Sequence, residues 1–187
     1  MKKITLLITY LLFSLFTNAQ ESSVEKSIFS AQTGFLGFWI NNEFKLSNNF
    51  SLKSEIGLDS GIWGGDLYDG TGFLLTPVLT IEPRYYYNLT KRKANGKNIS
   101  KNGGNFISLK TNYHPDWFII SNKDVDIISD ISFIPTWGIK RNIGDSNFNY
   151  EAGLGIGYQY IFYKNEGFSK NESDVAVNLH LRIGYYF

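Results

Sequence analysis

Two residues have the types and spacing to do chemistry together: His114 and Asp116, in the run Tyr113-His114-Pro115-Asp116-Trp117. Side chains alternate sides on an extended chain, so this imidazole and carboxylate share a face. A histidine with an acidic residue activates a serine hydroxyl held within reach, and Ser121 and Ser60 are the candidates. The second histidine, His180, sits on a polar face between Asn178 and Arg182. For both, a place in a hydrogen-bond network on that polar face is the plainer reading. The chain has no cysteine, which excludes thiol catalysis, a disulfide framework and a lipid anchor on cysteine. No zinc-ligand spacing or phosphate-binding glycine loop is present, so no metal or cofactor is expected, and Gly64-Gly65 and Gly103-Gly104 read as turns. With 18 Lys+Arg against 17 Asp+Glu, no overall field steers the chain toward nucleic acid.

The elements that must position these residues are strands. The last fourteen residues, Asp174 to Phe187, place Val175, Val177, Leu179, Leu181, Ile183, Tyr185 and Phe187 on one side. Ala176, Asn178, His180, Arg182, Gly184 and Tyr186 fall on the other. The same alternation recurs in Phe50 to Ile62, Leu75 to Tyr87, Phe106 to Ile119, Ile127 to Lys140 and Tyr150 to Phe162. A less regular block runs from Phe38 to Leu46, where Leu46-Ser47-Asn48-Asn49 makes a tight turn. Amphipathic strands in succession, with Gly/Asn/Asp/Ser/Lys-rich breaks between them, predict an antiparallel all-β chain.

Which face points inward is decided by charge. One face collects Lys45, Lys53, Glu55, Glu82, Arg84, Lys110, Asp116, Asp130, Glu151 and Arg182, while the other is almost free of charge. A soluble lipocalin-type barrel would reverse that, with an apolar interior and a charged exterior. Residues 1–19 carry Lys2 and Lys3, an apolar core from Leu6 to Phe16 and a small-residue site at Thr17-Asn18-Ala19, as a secretory signal peptide does. The domain is then 20–187. Aromatic content is high at 17%, and the rings gather at strand ends. Phe44, Phe50, Tyr85, Tyr87, Phe106, Trp137, Phe148, Tyr150, Tyr185 and Phe187 mark one end; Trp63, Phe73, Trp117, Tyr160 and Phe162 mark the other.

Leader, alternation, two aromatic girdles and a terminal Tyr186-Phe187 together resemble the small bacterial outer-membrane β-barrel proteins of the OmpA/OmpX size class. The resemblance covers nearly the whole mature chain. It implies a transmembrane antiparallel up-and-down β-barrel of eight strands in the bacterial outer membrane, monomeric, with outer-membrane lipids and the barrel-assembly machinery as partners. Tyr185 and Phe187 would belong to the assembly signal. An even strand number with both termini on the periplasmic side requires one more strand before Phe38, and Ser27 to Thr33 is the candidate. Outward loops then fall near Gly34–Gly37, Gly64–Gly72, Ser121–Asp126 and Lys164–Ser173. Periplasmic turns fall at Ser47–Asn49, Asn88–Asn105 and Arg141–Asn147.

Eight strands leave an interior that side chains can fill. Lys53, Glu55, Glu82, Arg84, Lys110, Asp130, Glu151, His180 and Arg182 are expected to form a cross-linked network there, because an unpaired ion away from water is costly. Gly153, Gly155 and Gly157 on the same face make room for long side chains opposite. This favours a structural or surface-interaction role with a plugged lumen. Two alternatives stand beside it. Some outer-membrane barrels are lipid A-modifying enzymes with a His, a Ser and an acidic residue at the outer rim, which would give His114 and Asp116 catalytic roles, although no local motif of those enzymes surrounds either histidine. A narrow channel is the other. The basic stretch from Thr90 to Lys101 reads as a solvated, mobile turn, or as a contact for anionic headgroups or cell wall. The closing strand is expected to pair along Asp174–Phe187 with both the preceding strand and the first.

Overall fold

The computed structural model describes residues 22–35, 37–63 and 72–187, with the side chains at 62 and 63 outside that description. The expected leader at 1–19, nearly all of the expected loop at 64–72 and the expected girdle position of the Trp63 side chain lie outside the described residues. Among the described residues nine strands follow in order: β1 (Ser27–Gly34), β2 (Gly37–Lys45), β3 (Phe50–Trp63), β4 (Gly72–Tyr86), β5 (Asn105–His114), β6 (Ile120–Ser121), β7 (Asp130–Asn142), β8 (Phe148–Ile161) and β9 (Glu172–Tyr186). One short helix, α1 (Leu89–Ala94), lies between β4 and β5. All the pairings are antiparallel, in the order β3-β2-β1-β9-β8-β7-β5-β4, and β3 pairs with β4 to close the sheet into a ring. The two-residue β6 adds only to Leu74 and Leu75 of β4. The strand expected before Phe38 is β1.

Alternation along each strand decides what the ring encloses. On β9, Ala176, Asn178, His180 and Arg182 are buried, while Val175, Val177, Leu179 and Leu181 face out. On β4, Val78, Thr80, Glu82, Arg84 and Tyr86 are buried between exposed or half-buried Ile81, Pro83 and Tyr85. The inside is polar and charged and the outside apolar, the reverse of a water-soluble domain. The end carrying the turns at 46–49 and 143–147 and Phe187 is named the inner mouth, after the expected orientation, and the opposite end the outer mouth. Ring pairs band the inner mouth: Phe50 with Tyr85 at 4.7 Å, Phe148 with Tyr185 at 5.2 Å and Phe29 with Phe187 at 5.4 Å. Tyr160 and Phe162 pair at 5.3 Å near the outer mouth.

Two aromatics turn inward because a glycine opposite leaves space for them. A Cβ at Gly138 would overlap the Phe106 ring, and one at Gly57 would overlap the Trp39 ring. Phe106, placed with the inner girdle by its position, is in fact fully buried inside. Of the three lumen glycines, Gly153 makes room as expected, for the His180 ring across the β8–β9 pair. Gly155 and Gly157 lie instead against the backbone carbonyls of Pro135 and Phe133.

Three expectations are corrected. The strand predicted to run to Ile119 stops at His114, because Pro115 has no N–H to give the ladder. The basic connector is no free turn: Leu89 is buried with Val24, Tyr86 and Phe106, Asn102 is 1% exposed, and the segment folds across the inner mouth as a cap. Arg92 donates to the Gly103 carbonyl at 2.8 Å and Lys101 pairs with Glu25 at 3.7 Å, whereas Lys91, Lys93 and Lys97 stay exposed. Finally, β9 pairs with β8 over Glu172–Tyr185 but with β1 only over Arg182–Tyr186. The reason is length. β1 ends at Gly34, opposite Arg182, and β2 begins at Gly37, opposite Asp59. The wall is therefore low over this hairpin, and Glu172–Leu181 has no strand on that side among the described residues.

Candidate functional site

The ring interior holds one connected set of charged side chains, each delivered by the inward face of a strand. Near the inner mouth Glu43 of β2 is the hub. Its carboxylate accepts from Lys140 Nζ at 2.8 Å, Ser51 Oγ at 2.7 Å, Tyr86 Oη at 2.9 Å and Asn102 Nδ2 at 2.8 Å. The last of these ties the cap into the network. Lys140 Nζ also lies over the Tyr186 ring, 5.5 Å from its centroid.

One layer further in, Arg84 donates through both terminal nitrogens to Glu151, at 2.8 and 2.7 Å, and to Glu82 at 2.6 Å. Its guanidinium lies 4.2 Å over the Phe106 ring, so Phe106 supports the layer from below. Ser108 donates to the other Glu82 oxygen at 2.6 Å. His180 Nε2 stands 3.4 Å from Glu151, with Nδ1 3.2 Å from Asn178 Oδ1. Two carboxylates around one guanidinium satisfy each other better than isolated ions would.

The third layer joins Lys53, Glu55 and Arg182. Lys53 pairs with Glu55 at 2.7 Å and donates to Gln32 Oε1 at 2.9 Å, and Arg182 donates to Glu55 at 2.7 Å. Arg182 stacks on the Trp39 ring at 3.6 Å. Trp39 Nε1 in turn donates to Asp59 at 2.7 Å, which carries the network to the outer mouth.

There His114 stands between two carboxylates, Nε2 3.2 Å from Asp59 and Nδ1 3.1 Å from Asp130. A ring in that position donates to both acids only as the imidazolium, and an imidazolium has no lone pair with which to take a serine proton. Asp116 does not meet it; beyond the end of β5 its side chain is exposed. Ser60 Oγ donates to the Phe35 carbonyl and Ser121 Oγ accepts from the Lys123 N–H. The His–acid–serine arrangement expected around Asp116 is not assembled. No group of three or more His, Asp or Glu side chains among the described residues has the geometry to hold a metal ion.

The predicted set Lys53, Glu55, Glu82, Arg84, Glu151, His180 and Arg182 is brought together, and Asp130 joins at the outer mouth through His114. Lys110 is buried on the same face, at 6% exposure, but has no ion pair or hydrogen bond among the described residues. Sequence reasoning missed the hub Glu43 and its partner Lys140, although both lie on the polar side of their alternating blocks. Alternation puts Trp39 on the same side as Asn41 and Glu43, but its links to Arg182 and Asp59 cannot be read from the sequence. Above the third layer lies a cavity of about 210 Å³, open toward the outer mouth and lined by Trp39, Asp59, Lys110, Asn112, His114 and Asp130 among others. No protein-family model, curated protein or solved structure matches this chain.

Proposed function

We propose that this chain is an integral outer-membrane β-barrel with a structural or surface-interaction role, its lumen closed by paired charges. The observation that carries the reading is the inverted polarity of the ring. Glu43, Lys53, Glu82, Arg84 and Glu151 are each no more than 2% exposed inside, while Val177, Leu179 and Leu181 are 67–71% exposed outside. Water would penalise that exterior, whereas a hydrocarbon layer flanked by aromatic bands accommodates it. A closed ring also suits a bilayer, which offers no partner to a free backbone N–H or C=O.

The three-layer network supports a plugged lumen over a diffusion pore, and the cap across the inner mouth adds a second barrier. Outer-membrane lipids and the assembly machinery that reads Tyr185 and Phe187 are the partners this reading implies. The direct test is migration on a gel without boiling. A folded barrel in detergent runs at a different position from the boiled chain. A chain that stays soluble and monomeric without detergent overturns the reading. Planar-bilayer recordings test the plug, and no discrete conductance is expected.

A further inference from the structure

The wall and the cavity raise a question that a purely structural barrel leaves open. Over the β1–β2 hairpin the sheet is interrupted on the outer side: Glu172–Leu181 of β9 and Ser60–Trp63 of β3 face each other without a strand between them among the described residues. In a bilayer, alternate N–H and C=O groups along that β9 edge would lack partners, which is costly. The apolar side chains along this edge are bare, with Val177 70% and Leu179 71% exposed.

The interruption leads to the cavity. Its lining includes β9 from Val175 to Leu179 on one side and Trp39 and Asp59 on the other. Within it sits Lys110. Arg182 and the carboxylates of Glu55, Glu82 and Asp59 act on it from beyond ion-pair range, and each of these acids already has a closer cation or donor. A buried ammonium facing a polar cavity with no direct partner is a place for an anion. A volume of about 210 Å³ accommodates a head group and a few methylenes but no whole lipid. The rest of such a molecule must lie outside, and the gap in the wall is the exit.

We propose that this cavity is the head-group site of a single-chain amphiphile with an anionic head, which enters sideways over the β1–β2 hairpin. The head group sits on Lys110, with Asn112 as a neighbouring polar contact. The tail leaves through the interruption and lies along Val175, Val177 and Leu179, covering the bare edge. The proposal rests on the membrane reading above and adds a ligand class to it.

Radiolabelled palmitate retained by the full chain in phosphatidylcholine nanodiscs, above that retained by empty nanodiscs, measures the binding. Lys110→Met should weaken it by about tenfold or more, the loss of one charged contact, while Lys110→Arg retains it. On the unaltered protein, hexadecanol should bind far more weakly than palmitate, and acetate or inorganic phosphate should not displace palmitate at equal concentration. Equal binding by the Lys110→Met protein, or hexadecanol held as tightly as palmitate, overturns the head-group site. Displacement by acetate or phosphate shows a site for soluble anions and overturns sideways entry. Gel migration of the same samples reports separately on the barrel itself, so a folded chain that ignores palmitate refutes this proposal alone.

Discussion

Arg84 grips Glu151 with both terminal nitrogens, at 2.8 and 2.7 Å, joining β4 to β8 across the interior. Strands β5 and β7 lie between them in the sheet, so the contact bridges the interior rather than adjacent strands.

Neutralising one member of that pair leaves the other buried and uncompensated. Glu151→Gln should lower unfolding stability by about 3–5 kcal/mol, as breaking a buried ion pair does. Glu172→Gln, at the exposed start of the neighbouring strand β9, should stay within about 0.5 kcal/mol. Urea titration of both variants in lipid vesicles compares them. Equal effects would show that the network contributes nothing beyond surface charge.

Leu181 and Arg182 are adjacent and face opposite ways. Leu181→Arg puts a charge on the apolar belt opposite Ala152, mid-wall, and should cost about 2–4 kcal/mol. Val175→Arg, near the outer end of the same strand, should cost about 0–1 kcal/mol. The depth dependence is the signature of a bilayer. If arginine at 181 is as harmless as serine there, the outer face does not meet lipid.

Phe187 lies against Phe29 at 5.4 Å and donates its N–H to the Phe29 carbonyl at 3.1 Å. It is otherwise largely exposed, so its deletion should cost only about 0.5–1.5 kcal/mol in the refolded protein. The amount of folded protein recovered from cell envelopes should fall much further. Parallel losses in both assays would remove the terminal aromatic from the assembly signal.

Gly138 carries the Phe106 ring. Gly138→Ala should destabilise the ring by about 1–3 kcal/mol through overpacking, and adding Phe106→Leu should recover part of that loss. Thermal unfolding followed by near-UV circular dichroism checks the pair. Simple additivity would mean the two sites do not meet.

Much of this was legible in the residues. Period-two alternation placed every long strand, and charge alone said which face turns inward, because a Lys53 or a Glu82 tolerates only water or a partner. Parity supplied β1 from a segment with weak patterning. What could not be read were features set by partners far along the chain. Phe106 looks like a girdle residue until Gly138 is known to lie opposite. Pro115 ended β5 two residues short of Asp116, so the acid that shares a face with His114 on paper never reaches it. Asp59 and Asp130 take its place, from strands 55 and 16 residues away in sequence. The connector looked solvated because its composition is basic, yet Leu89, Ile99 and Asn102 are enough to anchor it.

That anchoring joins distant parts of the chain. The cap touches Glu25, Glu43, Tyr86, Asn142 and Tyr186, so its contacts come from both ends of the chain and the middle. The complete set of partners exists only where the first and last strands have met, since Glu25 precedes β1 and Tyr186 ends β9. Asn102 sits on Glu43 there, and both are 1% exposed. The cap's bonds to Glu43 and Tyr186 span 59 and 85 residues of chain, so residues 88–104 fasten together strands that sequence keeps far apart.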